Sequence, residues 1–152
     1  MSCDFVDNRK SSWWHMANPN INSLFSLEGK TAVLTGASGY LGRNMARTLL
    51  AAGANLIALG RSERLEAEAK AWAEEFGRGR VSTYRVNMYD TPAFRQTVED
   101  ILDREAFAEV LINNAHEMGP ATGFNSALGS LEKATFEQWM RNLNGGVYWA
   151  AL

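Results

Sequence analysis

Residues 35–42 read TGASGYLG, a glycine-rich turn that lies between an apolar run and a helical pattern. The run before the turn, TAVLT at Thr31–Thr35, predicts a short buried strand. After the turn, Leu41, Met45 and Leu49 recur at the spacing of one helical face. The turn is therefore predicted to carry the chain from a strand directly into a helix.

The glycines of this turn suit the binding of a pyrophosphate. Gly36 permits a tight turn, Gly39 lets a phosphate approach the backbone, and Gly42 lets helix and strand pack closely. The N–H groups and the dipole of the helix N-terminus then favour an anion. The alternative is a purely structural turn, but the surrounding strand and helix favour dinucleotide binding. The residues that we predict to contact the cofactor in this turn are Gly36, Ser38, Gly39, Tyr40, Leu41 and Gly42.

Strand and helix patterns alternate along the rest of the chain. Further strands are predicted at residues 55–59, 81–86 and 110–112, and helices are predicted to begin near Ser62, Thr91 and Thr135. This alternation predicts an α/β fold of the Rossmann type, a doubly wound parallel sheet with strand order 3-2-1-4. Residues 1–26 show no sustained period and form an N-terminal extension, whereas residues 27–152 form the dinucleotide-binding domain.

The apolar stripes of the later helices are predicted to face the core. The stripe of the third helix contains Phe94, Val98, Ile101 and Leu102. The stripe of the last helix contains Trp139, Leu143, Val147 and Ala150. That helix also contains Gly145 and Gly146, which each disfavour a helix by about 1 kcal/mol relative to alanine. We therefore expect another part of the backbone to approach this glycine pair.

Composition excludes several classes of protein. Of the 152 residues, 46% are hydrophobic and 21% are charged, with a net charge of -2, which gives no support for nucleic-acid or membrane-surface binding. No apolar run approaches the roughly 20 residues of a membrane helix. The single cysteine, Cys3, cannot form a disulfide within the chain, which fits a reducing, cytoplasmic setting. We predict no metal site.

The residue after the second strand bears on the choice of cofactor. An acidic residue there would bind the ribose 2′-hydroxyl of NAD and repel the 2′-phosphate of NADP. This chain has Gly60 followed by Arg61, so NADP(H) is favoured over NAD(H). The alternative is that Arg61 is a solvated surface arginine.

Three segments in order resemble the short-chain dehydrogenase/reductase family. LEGKTAVLTGASGYLG at residues 27–42 resembles its opening strand and cofactor turn, NNA at 113–115 its Asn-Asn-Ala-Gly motif, and NLNG at 142–145 its Asn-Leu-x-Gly stretch. The resemblance implies hydride transfer between a nicotinamide cofactor and a carbonyl or alcohol substrate. It further implies that Asn114 and Ala115 line the cofactor pocket, and that Asn142 is the catalytic-site asparagine that holds a water in the proton relay.

Other positions are interpreted through the same resemblance. Asn87, followed by Met88, stands where the family often has an aspartate that touches adenine, and both are predicted to contact the cofactor. His116 replaces the usual glycine, either as a loop residue beside the pocket or as a substrate contact. Residues 117–133 suit a substrate-side loop. The HEMGP stretch at 116–120 is similar to oxidoreductases of bacterial nonulosonic-acid pathways, which implies a sugar-related substrate.

The sequence also departs from the family. Gly39 is placed as in the extended subtype, although the later motifs resemble the compact subtype. The family's catalytic Tyr-x-x-x-Lys pair is missing, because none of the four tyrosines has a lysine four places on. We therefore expect a domain that lacks its C-terminal catalytic half. A non-catalytic dinucleotide-binding or interaction module, or an inert truncated product, is the alternative function. The last helix resembles the family's dimer-forming helix, so a homo-oligomer is expected.

Overall fold

The computed structural model describes residues 21–105, 107–119, 121–123 and 132–152. Most of the predicted N-terminal extension, including Cys3, therefore lies outside the described residues, as does much of the loop predicted at 117–133. The described part of the extension contains a short helical turn, Ile21–Leu24. At the predicted start of the domain, the Leu27 N–H donates to the Ala52 carbonyl over 2.7 Å.

A four-stranded parallel sheet forms the centre of the fold. Its strands are β1 at Thr31–Thr35, β2 at Asn55–Gly60, β3 at Val81–Arg85 and β4 at Val110–Ile112. The order is β3-β2-β1-β4, which confirms the predicted doubly wound arrangement. The chain crosses from β3 to the other side of β1 to form β4. Such a reversal leaves a crevice at the carboxyl ends of the strands, where ligands bind in open α/β sheets.

In the described part of the chain, four helices follow the strands, and the last two begin at side chains that cap them. They are α1 at Tyr40–Ala51, α2 at Arg64–Phe76, α3 at Thr91–Arg104 and α4 at Phe136–Leu143. The Asp90 side chain caps α3 by accepting the Ala93 N–H. Thr135 and Gln138 form the predicted capping box at the start of α4. A π-helical turn, Asn144–Tyr148, and a last α-helical turn, Trp149–Ala151, continue α4.

Apolar side chains cover both faces of the sheet. On one face, residues of α1 and α2, including Leu50 and Trp72, pack against Leu34 and Leu56 of the strands. On the other face, Phe94 and Ile101 of α3 pack against a second apolar cluster. Trp72 is the largest fully buried side chain, with only 1% of its surface exposed. Burial on both faces explains why the central strands read as continuous apolar runs.

Three predicted inward faces are wrong in part. Leu41 is 59% exposed, because the first turn of α1 lies at the mouth of a cavity and Gly42 and Ala46 take the inner face. Leu102 is 74% exposed, so only Phe94, Val98 and Ile101 of the predicted α3 stripe pack inward.

The predicted stripe of the last helix is also largely exposed. Trp139, Leu143 and Val147 expose 45%, 47% and 62% of their surfaces. The π-helical turn adds residues per turn after Leu143, so the period of 3.6 does not continue to Val147, whereas Trp139 and Leu143 lie in regular α-helix and are exposed among the described residues. Across the described residues, no helix has the length and apolar character required to cross a bilayer.

We expect Gly42→Ala to lower the free energy of unfolding by about 1–3 kcal/mol, as overpacking typically does. A Cβ at this position would collide with the Gly36 carbonyl oxygen and lie 2.9 Å from the Ala37 Cα atom. Chemical denaturation measures the change. Gly146→Ala is the control, since no neighbouring atom lies within 4 Å of its added Cβ and alanine is the better helix former. Equal stability of the two variants would contradict the packing argument.

Candidate functional site

The glycine-rich turn is held together by close backbone contacts. Gly36 adopts a φ of +67°, and an added Cβ would lie 2.9 Å from the Ala115 Cα atom. The Gly42 position is blocked by the Gly36 carbonyl oxygen. Gly39 differs, because its backbone is extended and an added Cβ would meet only the Gly36 oxygen, at 3.1 Å. Gly36 and Gly42 are therefore required by packing, whereas Gly39 tolerates a side chain in its backbone conformation.

Helix α1 begins at this turn. Gly39 is its N-cap residue, and no side chain caps the helix. The first N–H groups of a helix have no partner within the helix, and together with the helix dipole they favour an anion. Gly39, Tyr40 and Leu41 all line the adjacent cavity. The turn thus presents a helix N-terminus suited to a phosphate group.

A cavity of about 610 Å³ lies at the carboxyl ends of the strands. Every residue that the sequence predicted to contact a cofactor lines this cavity, and so does His116. These predicted residues are Gly36, Ser38, Gly39, Tyr40, Leu41, Gly42, Arg61, Asn87, Met88, Asn114 and Ala115. The structure therefore brings together, in one crevice, residues from the ends of all four strands.

Hydrogen bonds from Asn114 connect the end of β4 to the glycine-rich turn. Its side-chain amide donates to the carbonyl oxygens of Thr35, at 3.1 Å, and Gly36, at 3.3 Å. The Thr35 hydroxyl oxygen in turn accepts the N–H groups of Asn114 and Ala115, at 3.1 and 3.0 Å. These bonds fix the wall of the cavity that Asn114 and Ala115 provide.

Two further predicted residues line the cavity where the chain leaves β3. The Met88 side chain is buried, with 8% of its surface exposed. Asn87 is exposed, and its Oδ1 atom accepts the Tyr89 N–H at 3.3 Å. This hydrogen bond holds the turn after β3 in a defined conformation.

A polar cluster centred on Glu117 lies at the rim of the cavity. The Tyr89 hydroxyl and Arg141 Nη1 both donate to Glu117 Oε2, the latter over 2.9 Å. Arg61 Nη2 lies 4.0 Å from the other carboxylate oxygen, Oε1. The Tyr89 ring packs edge-on against Trp149, with 4.8 Å between ring centroids. This cluster joins the turn after β3, the loop after β4 and α4.

The contacts of the cluster change the acidity of its members. Burial, together with the hydrogen bond to Glu117 and its charge, raises the pKa of Tyr89. Burial alone would raise the pKa of Glu117, but the hydrogen bonds from Tyr89 and Arg141 and the Arg141 charge hold that pKa below its usual value. At neutral pH the cluster therefore contains a neutral phenol and an ionised carboxylate.

Asn142 and His116 occupy different places relative to the cavity. Asn142 does not line it, and its side-chain amide donates to the Thr122 and Gln138 carbonyls, at 3.0 and 2.8 Å. His116 lines the cavity, and its Nδ1 atom would lie 3.0 Å from a Cβ on Gly145. The expectation that another backbone segment approaches the glycine pair is therefore wrong, because the His116 and Trp149 side chains approach Gly145 and no neighbouring atom of the described residues lies within 4 Å of a Cβ on Gly146.

Sequence reasoning missed part of the cavity wall. Tyr89, Met118 and Trp149 line the cavity but were not predicted, and neither were Ser62 and Arg64. Tyr89 and Ser62 lie within two positions of predicted residues. Their place just after the carboxyl ends of β3 and β2 could therefore have identified them. No local signal exists for Trp149, which reaches the cavity from the last helical turn.

Comparison with known families gives one match that covers most of the chain. A family model of short chain dehydrogenases matches residues 30–151. A fatty acyl-CoA reductase from Acinetobacter baylyi is 33% identical to this chain over 100 residues, which are 64% of this chain and 34% of that protein.

Solved structures of two reductases share the fold of this chain. L-sorbose reductase from Gluconobacter frateurii, in complex with NADPH and L-sorbose, matches with a TM-score of 0.70 and 26% identity, over 84% of this chain and 45% of its own. A 3-ketoacyl-(acyl-carrier-protein) reductase from Brucella melitensis, in complex with NADH, matches with a TM-score of 0.62 and 25% identity, over 84% of this chain and 48% of its own. This chain therefore spans less than half the length of these relatives.

The lowered pKa of Glu117 predicts a specific dependence of stability on pH. Its pKa in the folded state lies below the ordinary value of 4.5, so its stabilising contribution is present above that value and is lost as the pH falls through the folded pKa. We expect Glu117→Gln to lower stability at pH 7 and to lose less stability than the unsubstituted chain on acidification below pH 4.5. Denaturation midpoints across this range measure the difference.

Glu137→Gln is the control for this experiment. Glu137 also pairs with Arg141, at 3.6 Å, but its side chain is 78% exposed, so the pair contributes little. A Glu117→Gln variant with the same acid profile as the unsubstituted chain would show that the carboxylate is not held by the cluster.

Proposed function

The chain belongs to the short-chain dehydrogenase family, and we propose that its cavity binds a nicotinamide dinucleotide within an oxidoreductase. The observation that carries the proposal is the convergence of an uncapped helix N-terminus, the glycine-rich turn and the end of β4 on one cavity. The proposed reaction is hydride transfer between the cofactor and a carbonyl or alcohol substrate.

The residues present fit such a cofactor. The N-terminus of α1, with Gly39 extended and without a side chain, can receive the pyrophosphate. Met88 offers apolar surface and Asn87 a polar side chain where the chain leaves β3, and Ala115 lines the cavity after β4. The same pocket is lined by the other predicted cofactor contacts, which are Gly36, Ser38, Tyr40, Leu41, Gly42 and Asn114.

We further propose a preference for NADP(H). Gly60 ends β2 without a carboxylate, and the Arg61 side chain lines the cavity with 63% of its surface exposed, so it is free to move toward a 2′-phosphate. The relatives support a nicotinamide cofactor in general, since one was solved with NADPH and another with NADH. The preference therefore rests on Arg61 itself.

The cofactor, when bound, supplies the hydride chemistry. The chain's own residues bind and orient it, and His116 is proposed to contact the substrate from the cavity wall. Asn142 remains a proposed catalytic residue, and because both of its amide hydrogens are donated to carbonyls, its Oδ1 atom is the one that would hold a water. A sugar-related substrate, a homo-oligomer and a cytoplasmic location stay predictions from the sequence.

The second candidate function is a dinucleotide-binding or interaction module without catalysis. The observation that favours it is that the uncapped N-terminus of α1 and the glycine-rich turn, which both line the cavity, account for binding of a dinucleotide by themselves. A hydride-transfer assay with a panel of ketoses, polyols and acyl thioesters separates the two functions, since a module binds the cofactor but does not oxidise or reduce it.

Gly39→Val is expected to abolish dinucleotide binding while the fold persists. Its side chain would occupy the site of the pyrophosphate, but the Gly39 backbone is extended, so valine can adopt it. Gly36 is unsuitable for this test, because its φ of +67° and its contact with Ala115 make any side chain disruptive. Fluorescence titration with NADPH measures binding, and Gly146→Val, outside the cavity, is the control. Unchanged affinity of Gly39→Val would remove the turn as the phosphate site.

Arg61→Ala is expected to weaken NADP(H) binding and leave NAD(H) binding nearly unchanged. A charge-assisted hydrogen bond contributes about 1.5–3 kcal/mol, which corresponds to a loss of roughly 10- to 150-fold in affinity. Calorimetric titration of both cofactors tests this. Arg85→Ala is the matched control, since Arg85 is half exposed and pairs with Glu63 and Glu66 rather than with a cavity residue. Equal losses for both cofactors in Arg61→Ala would contradict the assignment.

A further inference from the structure

We propose that Glu117 is a specificity-determining residue that limits the preference for NADP(H) over NAD(H), because it competes with the cofactor's 2′-phosphate for Arg61. This inference rests on the proposed function, in which Arg61 receives that phosphate. It adds an acidic residue from the loop after β4 to a selection that is otherwise made at the end of β2.

The two oxygens of the Glu117 carboxylate have different partners. Oε2 accepts hydrogen bonds from the Tyr89 hydroxyl and from Arg141 Nη1. Oε1 is the atom nearest to Arg61, at 4.0 Å from Nη2. Tyr89 and Arg141 therefore orient the carboxylate so that its second oxygen points toward the guanidinium that is proposed to bind the phosphate.

The two members of the pair differ in mobility and in exposure to solvent. The Glu117 side chain is only 13% exposed and is held by two hydrogen bonds, so its charge is fixed and poorly screened. The Arg61 side chain is 63% exposed, so it can leave Glu117 for another anion at little cost. A bound 2′-phosphate would draw Arg61 away and would also lie near the Glu117 charge.

The charge of Arg141 controls how strongly Glu117 acts. Arg141 Nη1 lies 2.9 Å from Glu117 Oε2 and compensates part of its negative charge. Removing the carboxylate frees Arg61 and removes repulsion, so NADP(H) binding becomes tighter. Removing the Arg141 charge leaves Glu117 uncompensated, so NADP(H) binding becomes weaker. The two changes thus shift the selectivity in opposite directions, which loss of a structural contact alone would not do.

The test titrates NADP⁺ and NAD⁺ into the full chain and compares the ratio of their dissociation constants. Exposed ion pairs are weak, so Glu117→Gln should raise the preference for NADP⁺ about two- to fivefold, and Arg141→Gln should lower it by a similar factor. NAD⁺ affinity should change little in either variant. Glutamine at 117 can still accept hydrogen bonds from Tyr89 and Arg141, which preserves the loop.

Matched variants separate the possible outcomes. Glu137→Gln removes a charge on the exposed side of Arg141, outside the cavity, and should not shift the ratio as Glu117→Gln does. Shifts of the same sign in Glu117→Gln and Arg141→Gln, or no shift in Glu117→Gln, would overturn the proposal for Glu117. If Glu117→Gln does not fold, the direction of the shift in Arg141→Gln decides.

Arg61→Ala distinguishes failure of this inference from failure of the proposed function. If Arg61→Ala lowers NADP⁺ affinity but Glu117→Gln leaves the ratio unchanged, the Arg61 assignment stands and only the role of Glu117 is wrong. If Arg61→Ala leaves the ratio unchanged, Arg61 does not bind the phosphate and both proposals for cofactor choice fail. In the double variant Arg61→Ala with Glu117→Gln, the effect of the Glu117 change should become smaller, because the competition for Arg61 is gone.

Discussion

The structure depends on the close approach of the Gly36 backbone to two other segments. Its carbonyl oxygen occupies the place that a side chain on Gly42 would need, and its Cα faces Ala115 at a distance that excludes a Cβ. Helix α1, the end of β1 and the end of β4 can therefore meet only where these side chains are missing. Interiors are densely packed, so a single added carbon at such a contact has to displace backbone.

This contact determines where the cavity lies and what it offers. Because α1 starts directly at the end of β1, its N-terminus faces the crevice that the reversal of strand order opens. The hydrogen bonds of Asn114 and Thr35 hold the end of β4 against the same turn. The positive end of a helix and a rigid backbone wall thus come together without any charged side chain. Two arginines, Arg61 and Arg64, add formal positive charge to the lining of the cavity.

The cluster around Glu117 brings together side chains from segments that are far apart in the sequence. Tyr89 and Glu117 are 28 positions apart in the sequence, and Glu117 and Arg141 are 24 positions apart. They meet because β3 and β4, although they are the two edge strands, both end at the carboxyl side of the parallel sheet, where Arg141 of α4 reaches Glu117. Burial of the carboxylate is tolerated because two donors satisfy it. The cluster links the proposed cofactor arginine to the helix that contains Asn142.

The sequence by itself determined the strands, the starts of the last two helices, the strand order and most of the residues that line the cavity after each strand. It could do so because strand–turn–helix units have local signatures, and because ligand-side residues of a parallel sheet lie just after each strand. Only the tertiary structure decided the exposure of Leu102 and Trp139, the two hydrogen bonds that hold Asn142, and the meeting of Glu117 with Arg61 and Arg141. These features depend on distances between segments far apart in the chain. Local periodicity fixes the face of an element but does not fix which neighbour that face meets.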